Sequence, residues 1–206
     1  GCGAGLVVNG QPVSGIKGIG GEWGHNPLPM PLLYTTDPQA HLNLFDSGGF
    51  VKSDISTTYA HKEQPIYFTD DPKLAEYPGP QCYCGKRGCV EKWISGPGLK
   101  VDHNHVTGLD FSTHDIVAAA AKGDEGARAA LDRYYDRFAR AISGVIDIVD
   151  PDIIVVGGGM SNVADLYTEV PRLWSKYVFS DTVETKIVQA KFGDSSGVRG
   201  AAWLWA

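Results

Sequence analysis

Between residues 124 and 149 apolar side chains return every three or four positions, at Ala127, Leu131, Tyr134, Phe138, Ile142, Val145 and Ile148. That is the period of a long helix with one stripe turned to a core. A shorter helix is expected over 115–122, with Thr113 as its N-cap. Asp150-Pro151 stops the long helix. The β-branched run at 152–156 then predicts a strand buried on both faces. Gly157, Gly158 and Gly159 follow it and lead into another helix, for which Ser161 and Asn162 are candidate caps. A second short strand is expected over 186–191, then a glycine-bounded turn at 193–197 and a closing helix through Trp203 and Trp205. Near the start, the apolar triplet at 6–8 runs into Asn9-Gly10, two residues that accept the positive φ of a tight hairpin.

Periodicity lapses in two stretches, and no internal repeat is present. Residues 15–24 hold five glycines, too many for helix or strand, so a loop that places side chains is expected there. Residues 26–81 are rich in Pro, Asp, Thr, Tyr and Gly, with only short β-like pieces such as 65–69. They read as a long excursion with little regular structure.

Composition narrows the class. With 206 residues, 43% of them apolar and 20% charged, the chain can bury a real core. A net charge of −6 with no block of Lys and Arg repels a phosphate backbone, so nucleic acid is not an expected partner. No run approaches the ~18 apolar residues of a membrane span, so no membrane partner is expected either. The opening residues lack the pattern of a signal peptide and begin inside a glycine turn, so a segment upstream of them is expected.

The chemistry-bearing pattern is Cys82-Tyr83-Cys84-Gly85-Lys86-Arg87-Gly88-Cys89. Three thiols at short spacing, with turn glycines between them, suit tetrahedral zinc better than a disulfide framework. This distribution also points to a reducing, cytoplasmic compartment. Three cysteines leave one corner of the tetrahedron open. His25, next to the constrained Glu22-Trp23-Gly24 loop, is the candidate, and His103 with His105 is its rival. Cys2 reads as a free thiol.

Together, residues 20–29, the cysteine cluster with Val90-Glu91, and Ile94-Ser95-Gly96-Pro97-Gly98 resemble the ROK family of bacterial sugar kinases and sugar-responsive repressors, most nearly its fructokinase or mannokinase branch. Residues 1–5, 157–162 and 193–200 are similar to that branch as well. The resemblance implies an α/β, actin-like (ribonuclease H-like) sugar kinase fold, with residues 1–206 as its C-terminal domain. It implies a structural zinc on His25, Cys82, Cys84 and Cys89. It implies sugar contacts from Glu22, His25 and Glu91, since carboxylates are strong acceptors for hydroxyl donors. It implies ATP with Mg2+ as phosphoryl donor, held by the loop Gly1, Cys2, Gly3, Ala4 and Gly5 and by the turn Gly157, Gly158 and Gly159, where backbone N–H groups can approach phosphate. A homodimer is implied too.

The family's catalytic Asn-Asp pair and its Asp-x-Gly-Gly-Thr phosphate turn are absent from the sequence. Both are expected in an N-terminal domain, so this chain alone is expected to be inactive, while its parent phosphorylates a hexose, fructose first among the candidates. The 56 residues between His25 and Cys82 exceed the family's zinc loop, so an insertion is expected over 34–80. Closure entropy grows only logarithmically with loop length, so such an insertion is tolerable. Two other readings stand beside the kinase. One is the effector domain of a ROK repressor, with its DNA-binding part upstream. The other is a zinc-stabilised binding or dimerisation domain.

Overall fold

The structure is a computed structural model, and it describes residues 2–36 and 68–195. Among the described residues six short strands and five α-helices follow one another in the order β1 (Leu6–Val8), β2 (Gln11–Val13), β3 (Leu33–Tyr34), β4 (Phe68–Thr69), α1 (Glu91–Ile94), α2 (Gly96–Thr107), α3 (Thr113–Ala121), α4 (Glu125–Val149), β5 (Ile153–Val156), α5 (Leu166–Trp174) and β6 (Lys186–Gln189). The strands form three two-stranded pairs. β1 and β2 are antiparallel, whereas β3 pairs with β4, and β5 with β6, in parallel. The expected hairpin is present, with Asn9 at φ 50° and Gly10 at φ 75°.

Helix α4 is the axis of the core and packs against α2, α3 and α5. Its stripe is buried at Ala127, Leu131, Tyr134, Phe138 and Ile142, while Ile148, expected on the same face, lies 86% exposed in the last turn. Asp124 caps its start by accepting from the Ala127 N–H, and Asp150 ends it in the left-handed region, followed by Pro151. Leu99 and Ile116 come into the same core from α2 and α3, and Leu166 and Val170 from α5. Each such side chain contributes about 1.5–3 kcal/mol when fully buried.

Three expectations are corrected. The N-cap of α3 is Ser112, not Thr113: Ser112 Oγ accepts from Asp115 N–H, and the Asp115 carboxylate accepts from Ser112 N–H. That reciprocal pair satisfies two donors at once. Thr113 is the first helical residue instead, and its hydroxyl donates to the Gly96 carbonyl. Strand β5 is not buried on both faces. Ile154 and Val156 pack on the core, but Ile153 and Val155 are exposed, because the described residues lay nothing over that side. Ser161 and Asn162 cap no helix, since they lie within a 3-10 turn, Gly159–Asn162, that has no side-chain cap. Gly1, residues 37–67 within the expected insertion and residues 196–206, where a closing helix was expected, lie outside the described residues.

Within the excursion, β3 and β4 pair side by side. Just beyond them, Glu76 is clamped by α4: its carboxylate accepts from Arg137 Nε at 2.7 Å, from Arg140 Nη1 and Nη2 at 2.8 Å each, and from Leu32 N–H at 2.9 Å. Arg137 also donates to Asp102 and lies 4.5 Å over the Trp93 ring. This buried network fixes the polypeptide on either side of the cysteine cluster.

Candidate metal centre and glycine-lined cleft

The cluster stands on a small hairpin. Cys82 N–H donates to the Lys86 carbonyl, Gly88 N–H to the Pro80 carbonyl, and Gly85 N–H closes the turn onto the Cys82 carbonyl. Gly85 at φ 88° and Gly88 at φ 67° supply the left-handed backbone this requires. The His25 segment is then drawn alongside, by Leu28 N–H to the Gly88 carbonyl and Val90 N–H to the Asn26 carbonyl, both at 2.9 Å. Residues distant in sequence are thereby laid side by side.

The ligand atoms of His25, Cys82, Cys84 and Cys89 all lie within 4.8 Å of one another. Cys84 Sγ and Cys89 Sγ are 3.6 Å apart, as are Cys82 Sγ and His25 Nδ1. A tetrahedral centre with ~2.3 Å metal–sulfur bonds has sulfur–sulfur edges of about 3.8 Å, so the spacing fits zinc. The thiols themselves are unequal. The Lys86 backbone N–H, first among several causes, lowers Cys84 to about 7. Burial, reinforced by the neighbouring thiols, raises Cys89 to about 12. Three thiols this close cannot all ionise without a cation among them, and a divalent metal supplies that charge. The four residues therefore fit the group expected of them. Neither rival, His103 or His105, belongs to this group among the described residues: both lie on α2, where His103 is fully buried, stacked on Phe111 and bonded to Asn104.

Beside the cluster lies an open cleft of about 1950 Å³, lined by residues 2–5, by Glu22 and by residues 157–159. Gly21 and Gly24 hold the first of these loops in place. A Cβ on Gly21 would stand 2.2 Å from the Ala4 carbonyl oxygen, and one on Gly24 2.0 Å from that of Cys2. Only glycine lets these two loops touch through their backbones. Cys2 lines the cleft as a half-buried thiol, raised to about 11 by burial. Gly158, at φ 75°, turns the chain out of β5.

The site residues expected from sequence divide between these two places. Cys2, Gly3, Ala4, Gly5, Glu22, Gly157, Gly158 and Gly159 line the cleft. Glu91 is buried behind the cluster, where its carboxylate accepts from the Cys82 thiol at 3.2 Å. His25 stands at the cluster and does not line the cleft: its Nδ1 faces Cys82 and its Nε2 lies 2.8 Å from the Tyr83 hydroxyl. Tyr83 had no role in the sequence reading. Its position between two cysteines was the available signal.

The sequence model of the ROK family matches residues 1–206. An N-acetyl-D-glucosamine kinase of Citrobacter koseri is 31% identical over 204 residues, which are 99% of this chain and 55% of that kinase. Among solved structures, a ROK family glucokinase from Streptomyces griseus, in complex with glucose and AMPPNP, superposes with a TM-score of 0.67 at 19% identity, over 98% of this chain and 56% of the glucokinase. A ROK family transcriptional regulator, a homolog of the E. coli MLC protein, superposes with a TM-score of 0.61 at 22% identity, over 97% of this chain and 42% of the regulator. The chain thus spans about half the length of the curated relative, and the shared architecture is the α/β, actin-like ROK fold. Among the described residues no helix is long and apolar enough to cross a membrane.

Proposed function

The chain belongs to the ROK family, and on that premise we propose that it is the C-terminal domain of an ATP-dependent hexose kinase. The observation that carries this reading is the single cleft on which both glycine loops and Glu22 converge. Glycine loops with accessible N–H groups suit phosphate oxygens, and an exposed carboxylate beside them suits a sugar hydroxyl. Glu22 orients the sugar, and the loops 2–5 and 157–159 hold ATP, which brings Mg2+ with it. Phosphoryl transfer is mainly positioning and charge stabilisation, so rigidity of these loops is their contribution to rate.

His25, Cys82, Cys84 and Cys89 would hold zinc, whose part is to fix the loop that carries the sugar contacts. As a ligand Cys82 would be a thiolate, its proton released to solvent, and would no longer donate to Glu91. The Glu91 carboxylate is then free to accept from another donor. The proton acceptor for the sugar hydroxyl belongs to the N-terminal domain in this reading, and the isolated chain is inactive.

Two sugars compete, each on its own observation. Fructose follows from the likeness of residues 20–29 and 82–91 to the fructokinase branch. N-acetylglucosamine follows from the kinase that is 31% identical. A coupled assay of ADP release by the parent polypeptide, with fructose, glucose, mannose and N-acetylglucosamine offered in turn, decides between them. Hexose-dependent ADP release is expected with at least one sugar. Its absence with all four, together with hexose-sensitive DNA binding by the parent, would favour the repressor reading instead.

A further inference from the structure

The metal cluster is assembled from two arms of chain, one leaving His25 and one entering Cys82, and both arms run back to the same point on α4. Arg140 is buried there, 3% exposed. On the His25 arm its Nη1 donates to the Met30 carbonyl at 2.7 Å and to the Pro29 carbonyl at 3.2 Å. On the cysteine arm Nη1 and Nη2 hold the two oxygens of Glu76 at 2.8 Å each. Asp136, one turn earlier on the helix, accepts from Nε at 2.9 Å and fixes the guanidinium plane. The other α4 arginines are spent elsewhere: Arg128 donates to Asp165, Arg133 to Asp102, and Arg137 to Asp102 and Glu76. Among the described residues of α4, Arg140 is the one that donates directly to both arms. Met30 registers the grip. It stands at φ 47°, in the left-handed region that residues with a Cβ rarely adopt. Such a conformation persists only where its surroundings over-determine it. Here two consecutive carbonyls are turned onto one buried cation, a stronger donor than any neutral group.

We propose that Arg140 is the positioning residue of the metal centre. Its guanidinium sets the separation of the His25 arm from the cysteine arm, so that the fourth ligand is held in reach of the three thiols. The planar fork meets the Glu76 carboxylate two to two, and Nη1 is left facing the carbonyls of the other arm; a lysine, with a single nitrogen, cannot reproduce this. Arg140 acts through backbone carbonyls and makes no demand on the His25 ring. Pro29 also lines the cleft, so the same contact steadies the rim of the site where the sugar is placed. The inference rests on the zinc reading of the cluster and adds the residue through which the core holds its two arms together.

Zinc affinity is measured by competition with a chromophoric chelator for the unmodified protein and for Arg140→Lys, Met30→Ile and Arg133→Lys, with urea unfolding of each metal-free protein alongside. Arg140→Lys keeps the charge and loses the fork. Met30→Ile opposes the left-handed backbone through its branched Cβ and leaves Arg140 paired with Glu76 and Asp136. Both are expected to weaken zinc about 10- to 100-fold, the range for loss of a group that orients metal ligands. Arg133→Lys is the control, because that guanidinium is spent on Asp102 of α2. It is expected to lose stability while its zinc affinity stays within about twofold, since it touches neither arm. Zinc affinity within about twofold of the unmodified protein in Arg140→Lys or in Met30→Ile, or an equal loss in Arg133→Lys, would overturn the role of Arg140 while the zinc reading stands. Should Arg140→Lys not fold, Met30→Ile against Arg133→Lys decides the matter alone. Failure of the unmodified protein to bind zinc would overturn the zinc reading and the proposal with it.

Discussion

Replacing Glu76 with Gln removes one charge from a site with almost no access to water. Glu76 is 3% exposed and faces the two buried guanidinium groups of Arg137 and Arg140. Burial alone would raise its carboxyl, but Arg140 and then Arg137 reverse the effect and hold it at about 2, against 4.5 for a free glutamate. That difference corresponds to ~3 kcal/mol in favour of the folded state at neutral pH. An independent estimate agrees: removing one partner of a buried ion pair costs ~3–5 kcal/mol, because the other charge is left uncompensated. The glutamine amide adds to this, since its NH2 group is a donor set against donors.

For a domain whose whole stability is of order 5–15 kcal/mol, such a loss is large. Urea unfolding of Glu76→Gln at pH 7 should therefore show a stability lower by about 3 kcal/mol. The sign of the pH dependence follows from the depressed carboxyl: its contribution is complete above pH 4.5 and fades as pH falls toward 2. The gap between the unmodified protein and the variant should narrow over that window. A gap below about 1 kcal/mol at pH 7, or one that stays constant down to pH 3, would refute the reasoning.

Other outcomes follow from the same geometry. If the parent polypeptide is the hexose kinase proposed, its Glu22→Gln variant should show kcat/KM for the preferred hexose lowered by about 10- to 100-fold, the value of a hydrogen bond to a charged group, with zinc content unchanged. Gly24→Ala would place a Cβ 2.0 Å from the Cys2 carbonyl oxygen. It should displace the loop 2–5 and weaken AMPPNP binding to the parent, read by calorimetry. Ser112→Ala removes a capping hydroxyl from α3 and should cost about 1 kcal/mol in urea unfolding, whereas Thr113→Ala leaves that cap in place.

Much of this architecture was legible where local chemistry decides it. The 3.6-residue period of α4, the Asn9-Gly10 turn and the clustering of Cys82, Cys84 and Cys89 each depend on neighbours in sequence, and each is found where expected. Elements that depend on distant partners were less legible. Arg133, Arg137 and Arg140 recur at helical spacing, yet their burial depends on Asp102 and Glu76, which lie in other segments. A β-branched run states that a strand forms but not how many layers cover it, and Ile153 and Val155 stand exposed as a result. The choice between Ser112 and Thr113 as cap was available from the Ser-x-x-Asp spacing. Tyr83 shows a different limit: its partner, His25, is 58 positions away, and only the folded hairpin brings the two together.

The central claim is that a metal cluster anchors the loop that recognises the sugar, and hexose binding by the parent polypeptide measured against its zinc content tests it most directly. The account predicts that stripping zinc with a chelator weakens hexose binding at least tenfold, and that affinity returns as zinc is restored to one ion per chain. Hexose affinity unchanged by complete removal of the metal would contradict it.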